Sequence, residues 1–155
     1  MTLVVLALML AAAGQDPHKA MNDRGAKTMG FDQNKTAHHF YLYDDGGAID
    51  VRVKNQADTK DLAAIRSHLP HLAMMFQDGN FGAPMLVHDA KTVPGVAALS
   101  ARKATVRYTY AETPLGGRVD IMTSDAAARA ALHEFLKYQI TEHKTGDRLT
   151  VSKRQ

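Results

Sequence analysis

Six residues of this chain, Gly46-Gly47-Ala48-Ile49-Asp50-Val51, return seventy positions later as Gly116-Gly117-Arg118-Val119-Asp120-Ile121. Both copies read G-G-x-[IV]-D-[VI]. A repeat limits the fold more than composition does, because each copy must form the same element and the copies must share a core. Each copy ends a hairpin and feeds a helix. Asp44-Asp45-Gly46-Gly47 and Thr113-Pro114-Leu115-Gly116-Gly117 are turn sequences, rich in residues that tolerate the backbone angles of tight turns. Before and after them, Tyr41-Leu42-Tyr43, Ile49-Asp50-Val51-Arg52-Val53, Val106 to Tyr110 and Val119 to Ile121 show the two-residue alternation of strands. With a connection three residues shorter in the second copy, Ile65 matches Leu132 and Leu69 matches Leu136. The order ββα-ββα follows. One hairpin is marginal alone, so the expected fold is α+β: two ββα units forming a four-stranded antiparallel sheet with two helices packed on one face.

In the first predicted helix, Leu62, Ile65, Leu69, Leu72 and Phe76 are spaced 3, 4, 3 and 4, one apolar stripe behind an Asp58 cap. Pro70 lies inside it and removes a backbone hydrogen bond, which predicts a kink or a restart from Ser67. Gly79 ends the helix. Residues 79–102 are irregular, with a short buried run at Met85-Leu86-Val87 and a short helix over 96–101. The second helix is capped by Ser124, keeps Ala128, Leu132, Phe135, Leu136, Ile140 and His143 on one face, and closes at Gly146. Tyr41, Tyr43, Tyr108 and Tyr110 could line one sheet face and pack across strands.

Leu3 to Ala13 is an unbroken apolar run of eleven residues followed by an abrupt polar turn at Gln15. It is too short to span a bilayer and fits the apolar part of an export signal, with Ala11-Ala12-Ala13 as the small-residue cleavage pattern. No Lys or Arg precedes it, which a start codon placed too far downstream would explain. The expected organisation is a signal peptide over 1–13, a mobile polar extension over 14–36 with Met29-Gly30-Phe31 as its one apolar knot, a single domain over 37–147, and a polar tail over 148–155. The product would be periplasmic or secreted, with no membrane insertion after cleavage. The formal charge of +3 is scattered rather than gathered in a basic stripe, which gives nucleic-acid binding no support. With no cysteine, disulfides, zinc ribbons and thiol catalysis are excluded.

Eight histidines and eight methionines stand against no cysteine and no tryptophan. On the first helix His68, His71 and Met75 fall within about 60° of one another at 100° per residue. Two imidazoles and a thioether one turn on make a soft ligand set. His38 and His39 open the first strand, where neighbours point to opposite faces, so one of them can face the helices. His88-Asp89 lies in the irregular connector. The candidate metal ligands are therefore His68, His71, Met75, His39, His38 and His88. Such a set suits copper, above all Cu(I), and an open three-histidine site would suit zinc. His88 with Asp89 would also serve a two-histidine, one-carboxylate iron site. The competing structural account is dispersed histidines, methionines that fill core gaps, and His143 capping helix carbonyls. His133-Glu134 begins an H-E-x-x-H that Lys137 breaks, and no nucleotide or hydrolase motif is present. The functions in view are a metal-binding protein for carriage, sequestration or sensing; a metal-free module that docks a ligand or protein on the sheet or on residues 79–102; and a small metal-dependent enzyme.

Three stretches carry a resemblance: Met29-Gly30-Phe31-Asp32-Gln33 to Thr36-Ala37-His38-His39-Phe40; His68 to Phe76 with Pro84 to His88; and His133-Glu134-Phe135-Leu136 to His143-Lys144-Thr145-Gly146-Asp147. Together they resemble a group of uncharacterised secreted bacterial proteins of similar size. The resemblance covers most of the mature chain and implies export and a single domain; Pro70 is atypical of it. It brings no activity.

Overall fold

A computed structural model describes residues 16–154. The export signal expected over 1–13 lies outside them. The four strands are β1 (Thr36–Tyr43), β2 (Gly46–Val53), β3 (Arg107–Thr113) and β4 (Gly116–Met122). They form one antiparallel sheet in the order β1-β2-β4-β3, the α+β architecture that the repeat predicts. Five helices accompany it: α1 (Pro17–Met29), α2 (Thr59–Gln77), α3 (Gly82–His88), α4 (Val96–Ala101) and α5 (Ala126–Glu142).

The sheet register turns the repeat into symmetry. Ile49 lies opposite Val119, and these are equivalent residues of the two copies, so a pseudo-twofold axis passes between them. Both hairpins close with the same offset, Tyr43 opposite Gly46 and Thr113 opposite Gly116. The helices cross over: α2 lies against β3 and β4, whereas α5 lies against β1 and β2. Each helix thus covers chiefly the hairpin of the other unit, although α2 also reaches β2 of its own.

The two glycines of each copy are explained by this exchange. A Cβ on Gly46 would enter the carbonyl of Ile121, and one on Gly116 the carbonyl of Val51. A Cβ on Gly47 would meet Leu136, and one on Gly117 would stand 3.0 Å from Leu69. The contacts are reciprocal under the symmetry, and they confirm the matching of Leu69 with Leu136. The core between sheet and helices holds Val51, Val119, Ile121, Ile65, Leu69, Leu132 and Leu136, with Phe76 stacked on Phe81 at 4.4 Å and Phe135 edge-on to both.

Several expectations are corrected. Residues 17–29 are a docked helix rather than a mobile extension. Asp16 caps α1 by accepting from the His18 amide at 3.0 Å, Pro17 occupies the first turn where its missing N–H is no loss, and Gly30 ends it at φ +80°. Only Met21 and Gly25 of this helix are buried, so it carries no apolar stripe. Arg24 pins it to α3 by donating to the Val87 carbonyl at 2.9 Å. α2 runs through Pro70 as one element without restarting at Ser67. The cap of α5 is Asp125, not Ser124. Met85-Leu86-Val87 is helical and buries Val87 alone, with Leu86 65% exposed. Tyr41 and Tyr43 share the outer sheet face, whereas their cross-sheet alternation puts Tyr108 and Tyr110 on the helix face beside Phe76 and Leu69.

The tail is fastened too. Ser152 exchanges backbone hydrogen bonds with Leu42 and Asp44, both at 3.0 Å, along the edge of β1. Arg154 donates its Nε–H to both carboxylate oxygens of Asp45, reaches Asp120 through Nη1 and lies 4.5 Å over the Tyr43 ring. No helix among the described residues is long and apolar enough to cross a membrane.

Candidate metal centre: a buried histidine cluster

Five of the eight histidines meet at one end of the sheet, each brought by a different element. β1 supplies His38, which alternation turns toward the helices while its neighbour His39 faces out. His18 comes from the first turn of α1, and His68 from the flank of α2. His88 is the last residue of α3, released there by the left-handed backbone of Asp89 at φ +50°. His143 caps the C-terminus of α5.

His143 is the hub. Its ring centroid lies 5.6 Å from that of His38, stacked at 18°, and 5.0 Å from that of His88, edge-on at 76°. Phe31, from the loop between α1 and β1, stands between His38 at 5.9 Å and His68 at 6.1 Å, so His68 belongs to the border of the cluster. Beneath the rings a cavity of about 30 Å³ is bounded by Phe40, Leu72 and Phe135 on one side and by His38, Gln139 and His143 on the other. That is room for about one small occupant.

Four buried ring nitrogens here have no hydrogen-bond partner: Nε2 of His18, His38 and His68, and Nδ1 of His88. Buried polar atoms are ordinarily satisfied, and each exception needs a reason. His88 shows how its bare nitrogen is set. Its Nε2 faces the Gln139 side-chain oxygen at 3.0 Å; donating there leaves Nδ1 as an unprotonated lone pair. Burial, reinforced by repulsion between rings, disfavours the charged form of two of them: His143 is pushed down to about 3 and His38 to about 4. His68 and His88 are lowered for the same first reason.

The pseudo-symmetry supplies a control. Seventy positions after His38 stands Tyr108, and the helix matching that pairs Leu69 with Leu136 pairs Phe76 with His143. Phe76 and Tyr108 are in ring contact at 5.8 Å, so the same site in the other half of the molecule is filled by an aromatic pair. The fold accepts hydrocarbon there.

The predicted ligands divide. His38, His88 and His68 reach the cluster. His39 does not: its Nδ1 pairs with Asp147 at 2.9 Å, and Asp147 also accepts from the Phe40 amide and the Thr145 hydroxyl. His71 is exposed and bonded to the Ser67 carbonyl one turn back at 2.7 Å. Met75 packs against the core. Angular proximity on α2 failed because Phe31 covers one flank of that helix and leaves the other to solvent. His143 and His18 were not among the predicted ligands. The position of His143 on the inner face of its helix was visible in the sequence; nothing local to His18 announced it. His133 is structural, with Nε2 at 2.9 Å from both the Tyr43 and Gly46 carbonyls of the first hairpin turn.

As the side chains stand, among the described residues no group of three or more His, Asp or Glu is arranged to hold a metal ion. Stacked rings do not aim their nitrogens at one point. The centroid spacings are nonetheless those of ligands on one ion: two imidazoles on a tetrahedral centre at about 2.0 Å per bond lie roughly 5 Å apart. The most voluminous cleft, about 830 Å³, lies at the far end of β1, where Asp44 and Asp45 face Arg107 and Arg129; no unsatisfied buried group lines it.

No protein-family model, no curated protein and no solved structure matches this chain.

Proposed function

We propose that this domain binds a transition-metal ion through His38, His88 and His143, with His18 as a fourth ligand carried in by α1. The observation behind this reading is the set of buried ring nitrogens without partners on His18, His38 and His88, gathered around His143, where the other half of the molecule has Phe76 and Tyr108 in place of His143 and His38. Burying an imidazole forfeits hydration that a phenyl ring never had. A ligand that consumes the lone pairs accounts for that choice. The lowered proton affinity fits the same role, since neutral rings offer lone pairs at neutral pH and no proton need be displaced.

With Met75 in the core, the remaining donors are all nitrogen. That argues for Cu(II) or Zn(II) rather than Cu(I), and copper binds all-nitrogen sites the more tightly of the two. The role is carriage, sequestration or sensing in the periplasm or outside the cell, in keeping with the apolar run at Leu3 to Ala13.

The test is metal titration of chelator-treated protein. One equivalent of Cu(II) or Zn(II) should be retained through dialysis. His38→Tyr with His143→Phe should lose that retention, and His71→Ala should keep it. Retention at background level in the unaltered protein contradicts the proposal.

A further inference from the structure

The two edges of the sheet are finished differently. β1 and β3 are its outer strands. Along β1 the chain supplies its own cover: the Ser152 amide donates to the Leu42 carbonyl at 3.0 Å, and Asp147 accepts from the Phe40 amide at 2.9 Å. Seventy positions on, the equivalent residues of β3 are Tyr110 and Glu112. The tight turn pairs Thr113 with Gly116, so the backbone of Arg107, Thr109, Ala111 and Thr113 faces β4 and that of Tyr108, Tyr110 and Glu112 faces outward. The Tyr108 amide agrees with that direction, since it donates to the Gln77 side chain at 3.2 Å. Among the described residues, the amides of Tyr110 and Glu112 and the carbonyls of Tyr108 and Tyr110 have no partner.

An uncovered edge is a template for another strand, and sheets commonly blunt it with proline, lysine or a bulge. Tyr108 to Ala111 contain none of these, and all seven residues of β3 pair with β4 in unbroken register. We propose that β3 pairs antiparallel with β3 of a second copy of this chain, about a twofold axis at Tyr110, joining the two sheets into one.

The occupant follows from an edge that is complementary to itself. With the axis at Tyr110, each Tyr110 amide donates to the other Tyr110 carbonyl, and each Glu112 amide to the other Tyr108 carbonyl. Every free donor meets a free acceptor, Gln77 keeps the Tyr108 amide, and the seven residues overlap in full. The antiparallel sense also brings the Arg107 end of each strand to the Glu112 end of the other, whereas an in-register parallel pair would set like charges side by side. An axis at Glu112 would oppose the two carboxylates, and one at Tyr108 needs the amide that Gln77 holds. Met74, three residues before Gln77 on α2 and 58% exposed, adds apolar surface beside the seam. The pairing is independent of the metal reading, because β1, which carries His38, is the opposite edge.

The experiment joins sedimentation of the chelator-treated full chain over a concentration series to cysteine cross-linking, which a chain without native cysteine makes clean. Thr109 and Ala111 are exposed. In this register Thr109 lies opposite Ala111 of the second copy, a non-hydrogen-bonded pair with Cα atoms about 4.5 Å apart and within reach of a disulfide. A mixture of Thr109→Cys and Ala111→Cys should oxidise to linked dimer about fivefold faster than either variant alone. The unaltered chain should sediment as a reversible dimer. Tyr110→Pro removes the central donor without touching the ladder to β4, and should sediment as a monomer that circular dichroism shows to be folded. If that variant does not fold, the cross-linking decides. A monomer at every concentration overturns the proposal, and so does a folded Tyr110→Pro that still dimerises. A mixture that links no faster than its components also overturns it, because the contact then lies elsewhere or in another register.

Discussion

The two halves of this protein place the same backbone at two ends of one sheet and fill the site with different chemistry. At one end Phe76 of α2 meets Tyr108 of β3. At the other, His143 of α5 meets His38 of β1. The glycines and leucines that fix the symmetry are matched between halves, so packing does not require the difference. Three further histidines, on α1, α2 and α3, gather only around the second site. The comparison separates what the fold needs from what it tolerates: hydrocarbon satisfies the architecture, and the imidazoles are an addition that makes one end sensitive to protons.

The largest effect that would break this comparison is acid sensitivity. His38 and His143 are lowered to about 4 and about 3 in the folded state. Above the ordinary histidine value near 6.5, neither the folded nor the unfolded chain is protonated there, and stability is unaffected. As pH falls from 6.5 toward 4, the unfolded chain takes up protons that the native state refuses. Stability then drops by about 1.4 kcal/mol per pH unit for each histidine. Converting the histidine end to its counterpart, by His38→Tyr with His143→Phe, should remove up to about 4 kcal/mol of the loss between pH 7 and pH 5. Urea unfolding at the two pH values measures it, and an unchanged difference between them would show that the histidine end is not the acid-labile one.

The next largest effect sharpens the symmetry. Gly46→Ala and Gly116→Ala each drive a methyl into a carbonyl of the opposite copy and should each destabilise by about 3 kcal/mol. Gly46 also holds φ +149°, a strain that Gly116 does not share, so the midpoint of Gly46→Ala should fall at least as far. A Gly116→Ala midpoint left unchanged would mean that the two halves only share a sequence motif. Arg154→Ala removes the latch on Asp45 and Asp120, which no residue provides on the β3 side. About 1 to 2 kcal/mol should be lost, measured by thermal unfolding. The smallest effect is expected of His71→Ala, within about 0.5 kcal/mol of the unaltered protein, because its ring is exposed and bonded only within its own helix. Cu(II) uptake by that variant should be unchanged as well.

What the sequence revealed follows from how local each signal is. The repeat, the two hairpins and the stripe from Leu62 to Phe76 lie within short windows, and the four-stranded antiparallel sheet follows from them. The docking of α1 does not, because Met21 and Gly25 are too few to form a stripe, and its attachment depends on Arg24 finding a carbonyl some sixty residues away. The crossed helices are also invisible locally: nothing in Leu136 says that it will sit over Gly47. For the cluster, strand alternation showed that one of His38 and His39 faces the helices, without saying which. His71 and Met75 were drawn in by their spacing from His68, a rule that holds on a bare helix and ignores Phe31. His18 and His143 share nothing in sequence with the others, since the cluster exists only where five elements end together.

The central claim is that the imidazoles gathered at the junction of α1, β1, α3 and α5, those of His18, His38 and His88 with an unsatisfied ring nitrogen, are metal ligands. Anomalous diffraction at the copper and zinc absorption edges, from crystals of the metal-loaded protein, locates the ion directly. The account predicts a single dominant peak about 2 Å from nitrogens of His38, His88 and His143, with the His38 and His143 rings rotated out of their stack. A peak at His71 or His39 alone, with those two rings still stacked, would contradict it.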